Sequence, residues 1–545
     1  MRCLQSSVCL LVCLCLLTAA PIMAQEDEMH HHHDATEQLG KVSFPVSCAP
    51  ASQKSFERGV ALLHSFGYED AEQQFVEITK TDPGCAMAHW GIAMSQYHQI
   101  WERPDSKAME RGHDEIATAQ KIGAKTPREQ AYIAAIALFY NDPKDDYLKR
   151  AAAYSDAMGK LYQQYPNDLE AGAFYALSLL AADPPGDTQH TADKKAVAVL
   201  MPLFEKEPAH PGLAHYIIHS CDSPEMAPEA LDAARRYAEI APSSAHAVHM
   251  PSHIFARLGL WQEDIQANQK SVAIIGQSSA MYMQGHELHA MHFLLYAYLQ
   301  TGQDQPAQQI LAKEKQIVSM PMKDGDSGML QYFGFARADF PALYALEMHD
   351  WKAAAALQPA PDAPPYVQTI TYWAQTIGAA RTGDVAAARS SAKKFADAED
   401  AIRKSKYAYM LDGPNFDRSE VQAWLAFAEK QNDKAIQLMT EVADKQDKLG
   451  KGEVAIPARE MLADMLLALN QPDKALAEYE QSMKIDPNRF NGLAGAAQAA
   501  ELTHQPQKAN SYYAQLLKNC DGGTHSDRPE LQSAKTQLAK NGNGL

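Results

Sequence analysis

The sequence predicts an all-α fold, a solenoid built of antiparallel helix hairpins. Three observations carry this. From about Ala51 onward, apolar residues recur at steps of three and four, the signature of one helix face. The β-branched alternation expected of strands is scarce. Short breaks carrying Gly, Asp, Asn and Pro return at a fixed distance, which marks internal repeats. With 545 residues, 46% of them hydrophobic and 21% charged, the chain is globular and long enough to bury a large core. A net charge of −18 argues against nucleic acid or an anionic membrane surface as partner. There is no Gly-rich phosphate loop of the P-loop or dinucleotide type.

Taken in order, the chain opens on a predicted signal peptide over 1–24. Met1-Arg2 is a short positive start, and the apolar run Val8 to Ala20 is too short to span a bilayer. Ala24 is a small residue at a plausible cleavage point. No later run is long enough for a membrane span, so the expected product is exported, periplasmic or secreted. Residues 25–50 read as a flexible lead-in, polar and acidic, with His30 to His33 in a row. Beyond residue 24 four of the eight cysteines remain: Cys48, Cys85, Cys221 and Cys520. Export permits disulfides, and all three pairings stay open at this level. The absence of Cys-x-x-Cys speaks against thiol redox chemistry and cysteine-type zinc sites.

The segments from 51 to 545 resemble tetratricopeptide repeats, helix pairs with a 34-residue period. The clearest copy is Ile456 to Pro487, with Ala475 and Tyr479 in the second helix; Ala509 and Tyr513 fill the same slots after Phe490. Two copies abut, Pro211 to Ser244 and Ala245 to Ser278, and another starts near Leu288. Weaker copies fall around 56–83, 86–101, 169–208, 369–388 and 421–435. The resemblance implies a right-handed superhelix with a concave groove, read from the first helix of each pair.

In such a first helix the second, fifth and ninth slots lie opposite the packing side. In three successive repeats of the 211–300 region these slots hold Gly212, His215, His219; His246, His249, His253; and His289, His292, Tyr296. Seven of nine are histidine, in a chain with 21 histidines among 545 residues, so chance is a poor account. Rings at i, i+4 share a face, and neighbouring helices lie about 8–10 Å apart, close enough for imidazoles to converge on one ion. His215, His219, His249 and His253 form the expected metal-ligand quartet. His246, His289, His292, Tyr296 and His98 are further groove candidates, and His286 a weaker one. Imidazole without thiolate suits zinc, copper or iron. Pro251, between His249 and His253, is expected to kink its helix. The helix 86–101, with Trp90, Tyr97, His98 and Trp101, is an aromatic face that reads more readily as core than as ligand site. Glu460 is a candidate carboxylate or general base if the superhelix closes on itself, although a surface salt bridge is its ordinary role.

Ala88-His-Trp-Gly-Ile-Ala-Met94, Pro211-Gly-x-x-His-Tyr-Ile-Ile-His219 and His249-Met-Pro-Ser-His-Ile-Phe255 together resemble a group of exported bacterial repeat proteins. That resemblance implies the fold and the histidine site, and no substrate. Two functions compete. One is a metal-binding repeat protein, with metal-dependent catalysis open to it. The other is a periplasmic scaffold whose groove binds a peptide, protein or small-molecule partner without metal.

Overall fold

The computed structural model describes residues 37–100, 103–142, 146–184, 186–276, 283–319, 327–412, 418–449 and 454–540. The expected signal peptide, His30 to His33 and Trp101 lie outside them. Contacts divide the chain into two units, Met1–Glu37 and Gln38–Leu545, and every described helix belongs to the second. Those residues form α-helices joined by short turns, with a few 3-10 turns and no strand among them. Consecutive helices pack against one another along the chain, which is the helix-hairpin solenoid expected.

The repeats fall where the Gly and Pro anchors put them. Gln53–His64 pairs with Tyr68–Thr81, Pro211–Ser220 with Ala227–Ile240, Met283–Gln300 with Asp304–Ile317, and Ala458–Ala468 with Pro472–Ile485. Two hairpins fall outside the repeat copies that the sequence shows. Pro127–Tyr140 with Tyr147–Gln164 opens on a full capping box, in which Thr126 and Glu129 satisfy each other's backbone N–H. Ser327–Glu347 with the short Trp351–Ala356 is the other.

The stack doubles back on itself at two places, and both flank the histidine repeats. Near the start, Gln38 and Ser243 exchange hydrogen bonds, Lys41 N–H donates to Ala209 O (2.9 Å), and Tyr237 donates to Ser65. Phe44 is fully buried against Phe56, Trp90 and Tyr132. The lead-in therefore ends earlier than expected. Residues 38–50 pack on the repeats, held by Phe44 and by a disulfide from Cys48 to Cys85, while Cys221 and Cys520 are free and buried.

Near the end, Trp261 Nε1 donates to Asn488 O (2.8 Å) and Asn488 returns a bond to Gly259 O (3.2 Å). Gly259 is in the left-handed region at φ +63°, and a Cβ there would lie 2.4 Å from Pro487 O. Only glycine permits this approach.

Candidate metal centre

Four helices carry the histidines, Pro211–Ser220, Ala245–His249, Pro251–Leu258 and Met283–Gln300, the middle two parted at Met250 before Pro251, and the histidines are interior. His215, His246, His249, His253, His289 and His292 are buried, and His219 is partly so. The face expected to line an open groove is thus covered. Phe66, at the turn after Gln53–His64, lies over His215, His219 and His246 with ring centroids 4.4, 5.5 and 5.4 Å away. Phe293 packs against His249, His253 and His289. Phe66 takes a positive φ of 54°, costly for an aromatic residue.

The expected quartet is divided between two triads. His215 and His219 join His246; His249 and His253 join His289; within each triad the ligand atoms lie within 4.8 Å of one another. The i, i+4 pairs converge as the spacing requires, but the third ring of each comes from the first helix of the next repeat, His246 from Ala245–His249 and His289 from Met283–Gln300. His292 belongs to neither: its Nε2 lies 2.7 Å from an Asp339 carboxylate oxygen, and its ring stacks on Phe340. His98 stacks on Tyr68, with ring centroids 4.4 Å apart. His286 lies beside the first triad, its ring centroid 5.5 Å from that of His246.

Hydrogen-bond partners fix the tautomers, since carbonyl, amide and carboxylate oxygens only accept. His215 Nδ1–H donates to His64 O (2.6 Å). His249 Nδ1–H donates to Asn268 Oδ1 (2.6 Å), whose amide is oriented by donating to the backbone oxygen and side chain of Asp264. His253 Nδ1–H donates to Asp222 (2.9 Å), which also takes Arg257 Nε–H (2.8 Å). Each of these rings, when neutral, therefore presents a bare Nε2 lone pair. Those of His249 and His253 face each other at 3.2 Å; that of His215 faces the Nε2 atoms of His219 and His246 at 3.0 and 3.1 Å. Ligands of a tetrahedral ion with bonds of about 2.0–2.1 Å sit roughly 3.3 Å apart. Nδ1 held by carboxylate, amide or carbonyl is the usual outer support of a metal-bound imidazole.

For His215, His219, His246, His249 and His289 the electrostatics favour the neutral ring. Burial lowers the pKa of His215, His246, His249 and His289 far below the ordinary value, with neighbouring imidazoles adding to the effect, and brings His219 down to about 3. Burial alone would raise the Asp222 carboxyl, but Arg257 and His253 outweigh it and hold it strongly ionised.

Behind the first triad lies a group that sequence reasoning missed. Glu170 accepts from His64 Nε2 (2.7 Å) and His210 Nε2 (3.0 Å), and His64 Nδ1 meets Tyr216 Oη at 2.8 Å; all four are buried. Burial opposes ionisation of Glu170, but the two histidines drive its pKa well below the usual carboxylate range. Gly212, the one apolar slot of that repeat's face, has no room for a side chain because the His64 ring fills the space: a Cβ would lie 2.4 Å from His64 Nδ1.

Glu460 is engaged elsewhere. It takes two hydrogen bonds from the buried Arg489 guanidinium (2.9 and 2.7 Å), which also pairs with Glu347 and donates to Tyr296 Oη. Tyr296 donates in turn to Ala455 O, so this groove candidate serves the second closure of the stack rather than the histidine triads. Burial raises the Glu460 carboxyl to about 7 against the pull of Arg489, because one cation faces two carboxylates.

No protein-family model matches the chain, and no curated protein does so. Among solved structures, a human IFIT1 dimer with m7Gppp-AAAA is similar over 83% of this chain and 94% of its own, at 12% identity and a TM-score of 0.36. A monomeric IFIT1 mutant with Gppp-AAAA is similar over 86% and 99%, at 13% identity and a TM-score of 0.36. Neither likeness bears on what this chain binds. No described helix is long and apolar enough to cross a membrane.

Proposed function

We propose that this chain is an exported tetratricopeptide-type protein that holds a transition metal, zinc, copper or iron, on its buried histidines. One observation supports this most directly. His249 and His253 each have Nδ1–H committed to an acceptor, so two lone pairs face each other at 3.2 Å in a buried space. Two neutral imidazoles in that arrangement repel, and a shared cation turns the contact into an attraction. No carboxylate or thiolate belongs to either triad, and an all-imidazole set suits zinc, copper or iron over magnesium or calcium. The Cys48–Cys85 disulfide fits an oxidising compartment outside the cytosol. The net charge of −18 fits a chain that does not bind nucleic acid.

A scaffold that clamps a peptide on these histidines requires them on an open surface, and their burial favours the metal reading. The test is elemental analysis of protein purified after metal supplementation. Near-stoichiometric metal is expected, and it should fall when His249→Ala and His253→Ala are combined. A folded wild-type protein carrying less than a tenth of an equivalent would refute the proposal.

A further inference from the structure

We infer that the two triads form a single dinuclear centre, with two ions close enough to share one small bridging anion. This rests on the metal reading above. Within the triads, ring centroids lie 4.7 and 4.9 Å apart around His215, and 5.1, 4.5 and 5.5 Å apart among His249, His253 and His289. Between the triads, His219 lies 6.0 Å from His253, and His246 lies 6.0 Å from His249. The gap between sites is scarcely wider than the spacing inside one, so the six rings make one continuous cluster.

The backbone supports the same estimate. His246 serves the first triad, while His249 and His253 serve the second, all on consecutive turns around Met250. A separation of three residues is about 4.5 Å of helix rise. Two-metal sites place their ions about 3.5–4 Å apart, and modest side-chain adjustment spans the difference. Each ion has three imidazoles from this chain, which leaves coordination positions to fill. The division of the quartet follows from this geometry. Four rings from two helices would make one closed site, whereas three and three make two open ones. The group that fits between two such ions is a small anion bound end to end or through one atom.

Copper(II) is the probe, because it stands highest in affinity for nitrogen sites and its spin reports proximity. The full-length mature protein, stripped with a chelator, is titrated with copper(II) and then with azide. Two equivalents per chain are expected, with a magnetically coupled spectrum: reduced integrated intensity or a half-field line, and one azide bound per two ions. His246→Gln, in the first triad, and His289→Gln, in the second, should each leave one equivalent and an uncoupled spectrum, with circular dichroism confirming the fold. Two equivalents with the full intensity of isolated spins would overturn the pairing, as would a single equivalent. No binding at all would overturn the metal reading beneath it.

Discussion

Asp222→Asn separates support of the fold from support of the metal. The carboxylate accepts from His253 Nδ1–H at 2.9 Å and from Arg257 Nε–H at 2.8 Å. The side chains of His253, Arg257 and Asp222 are 1%, 6% and 16% exposed, so both interactions are poorly screened. Removing one partner of a buried pair costs about 3–5 kcal/mol. Asparagine keeps one acceptor for two donors, so the loss for the metal-free protein should sit below that range, at roughly 2–3 kcal/mol. A second effect appears only with metal bound. Losing the outer partner of an imidazole ligand weakens binding by about 10–100-fold, or roughly 1.4–2.8 kcal/mol. Arg257→Met is the control: it breaks the ion pair but leaves Asp222 to orient His253. Urea unfolding in chelator measures the first effect, and zinc competition against a chromophoric chelator measures the second. Both variants should lose stability, and only Asp222→Asn should lose affinity by tenfold or more. Equal affinities in the two variants would show that His253 is not a ligand held by Asp222.

The other predictions follow from the structure in the same way. Gly212→Ala forces a methyl to within 2.4 Å of His64 Nδ1. It should cost about 1–3 kcal/mol in urea and weaken one metal equivalent while sparing the other, since His64 O orients only His215. Cys48 and Cys85 close a loop with a sequence separation of 37, so the double serine variant should lose roughly 4 kcal/mol by the chain-entropy relation. With residues 1–24 removed, native protein should offer no reactive thiol, and unfolded protein two, from Cys221 and Cys520. Glu460 has its folded pKa raised to about 7, so the folded state holds a proton that the unfolded state releases near 4.5. Stability should therefore fall as pH rises between those values, by at most about 1.4 kcal/mol per pH unit, and Glu460→Gln should flatten that slope in pH-dependent urea titrations.

Periodicity made most of the fold legible, because each hairpin buries its stripe on its neighbours and breaks where Gly, Asn or Pro must stand. Ser327 to Ala356 was silent because its turn, Met348-His-Asp350, carries no Gly, Asn or Pro; Thr126 to Gln164 is marked only by its capping pair Thr126 and Glu129 and by Asn141 and Pro143 in its turn, which do not repeat the 34-residue pattern. The helical spacing of the histidines was also legible, and it brought His215 to His219 and His249 to His253 as expected. What it could not supply was contact across 150 residues and more. His64 O reaches His215 only because the first hairpin folds back on the stack, and Arg489 reaches Tyr296 only through the second closure. Without those closures the histidine face reads as solvent-facing. Asp222, Asn268 and Phe66 sit in turns or on second helices, where a reading confined to first-helix slots has no reason to look. Gly212 was the one available signal: a gap in a histidine row says that a side chain from elsewhere fills it.

The closures explain why so much structure surrounds rings that contribute little to stability. Buried imidazoles lose hydration, and lone pairs at 3.2 Å oppose each other, so the cluster alone opposes folding. The positive φ of Phe66 adds to that cost. Around the rings, however, hydrogen bonds join Glu170 to His64 and His210, Asp222 to Arg257 and His253, and Asn268 to Asp264 and His249. A hydrogen-bonded shell of this kind fixes ring orientation. The folding-back at Lys41 and at Asn488 then holds that shell from both sides. On the metal proposal, a bound ion would reverse the repulsion in a site that opposes folding by itself yet is held at two long-range closures. Ion binding should therefore raise the unfolding temperature, and hydrogen exchange should slow first in the helices carrying His215, His249 and His289. Metal-independent exchange in those helices would show that the closures alone set their rigidity.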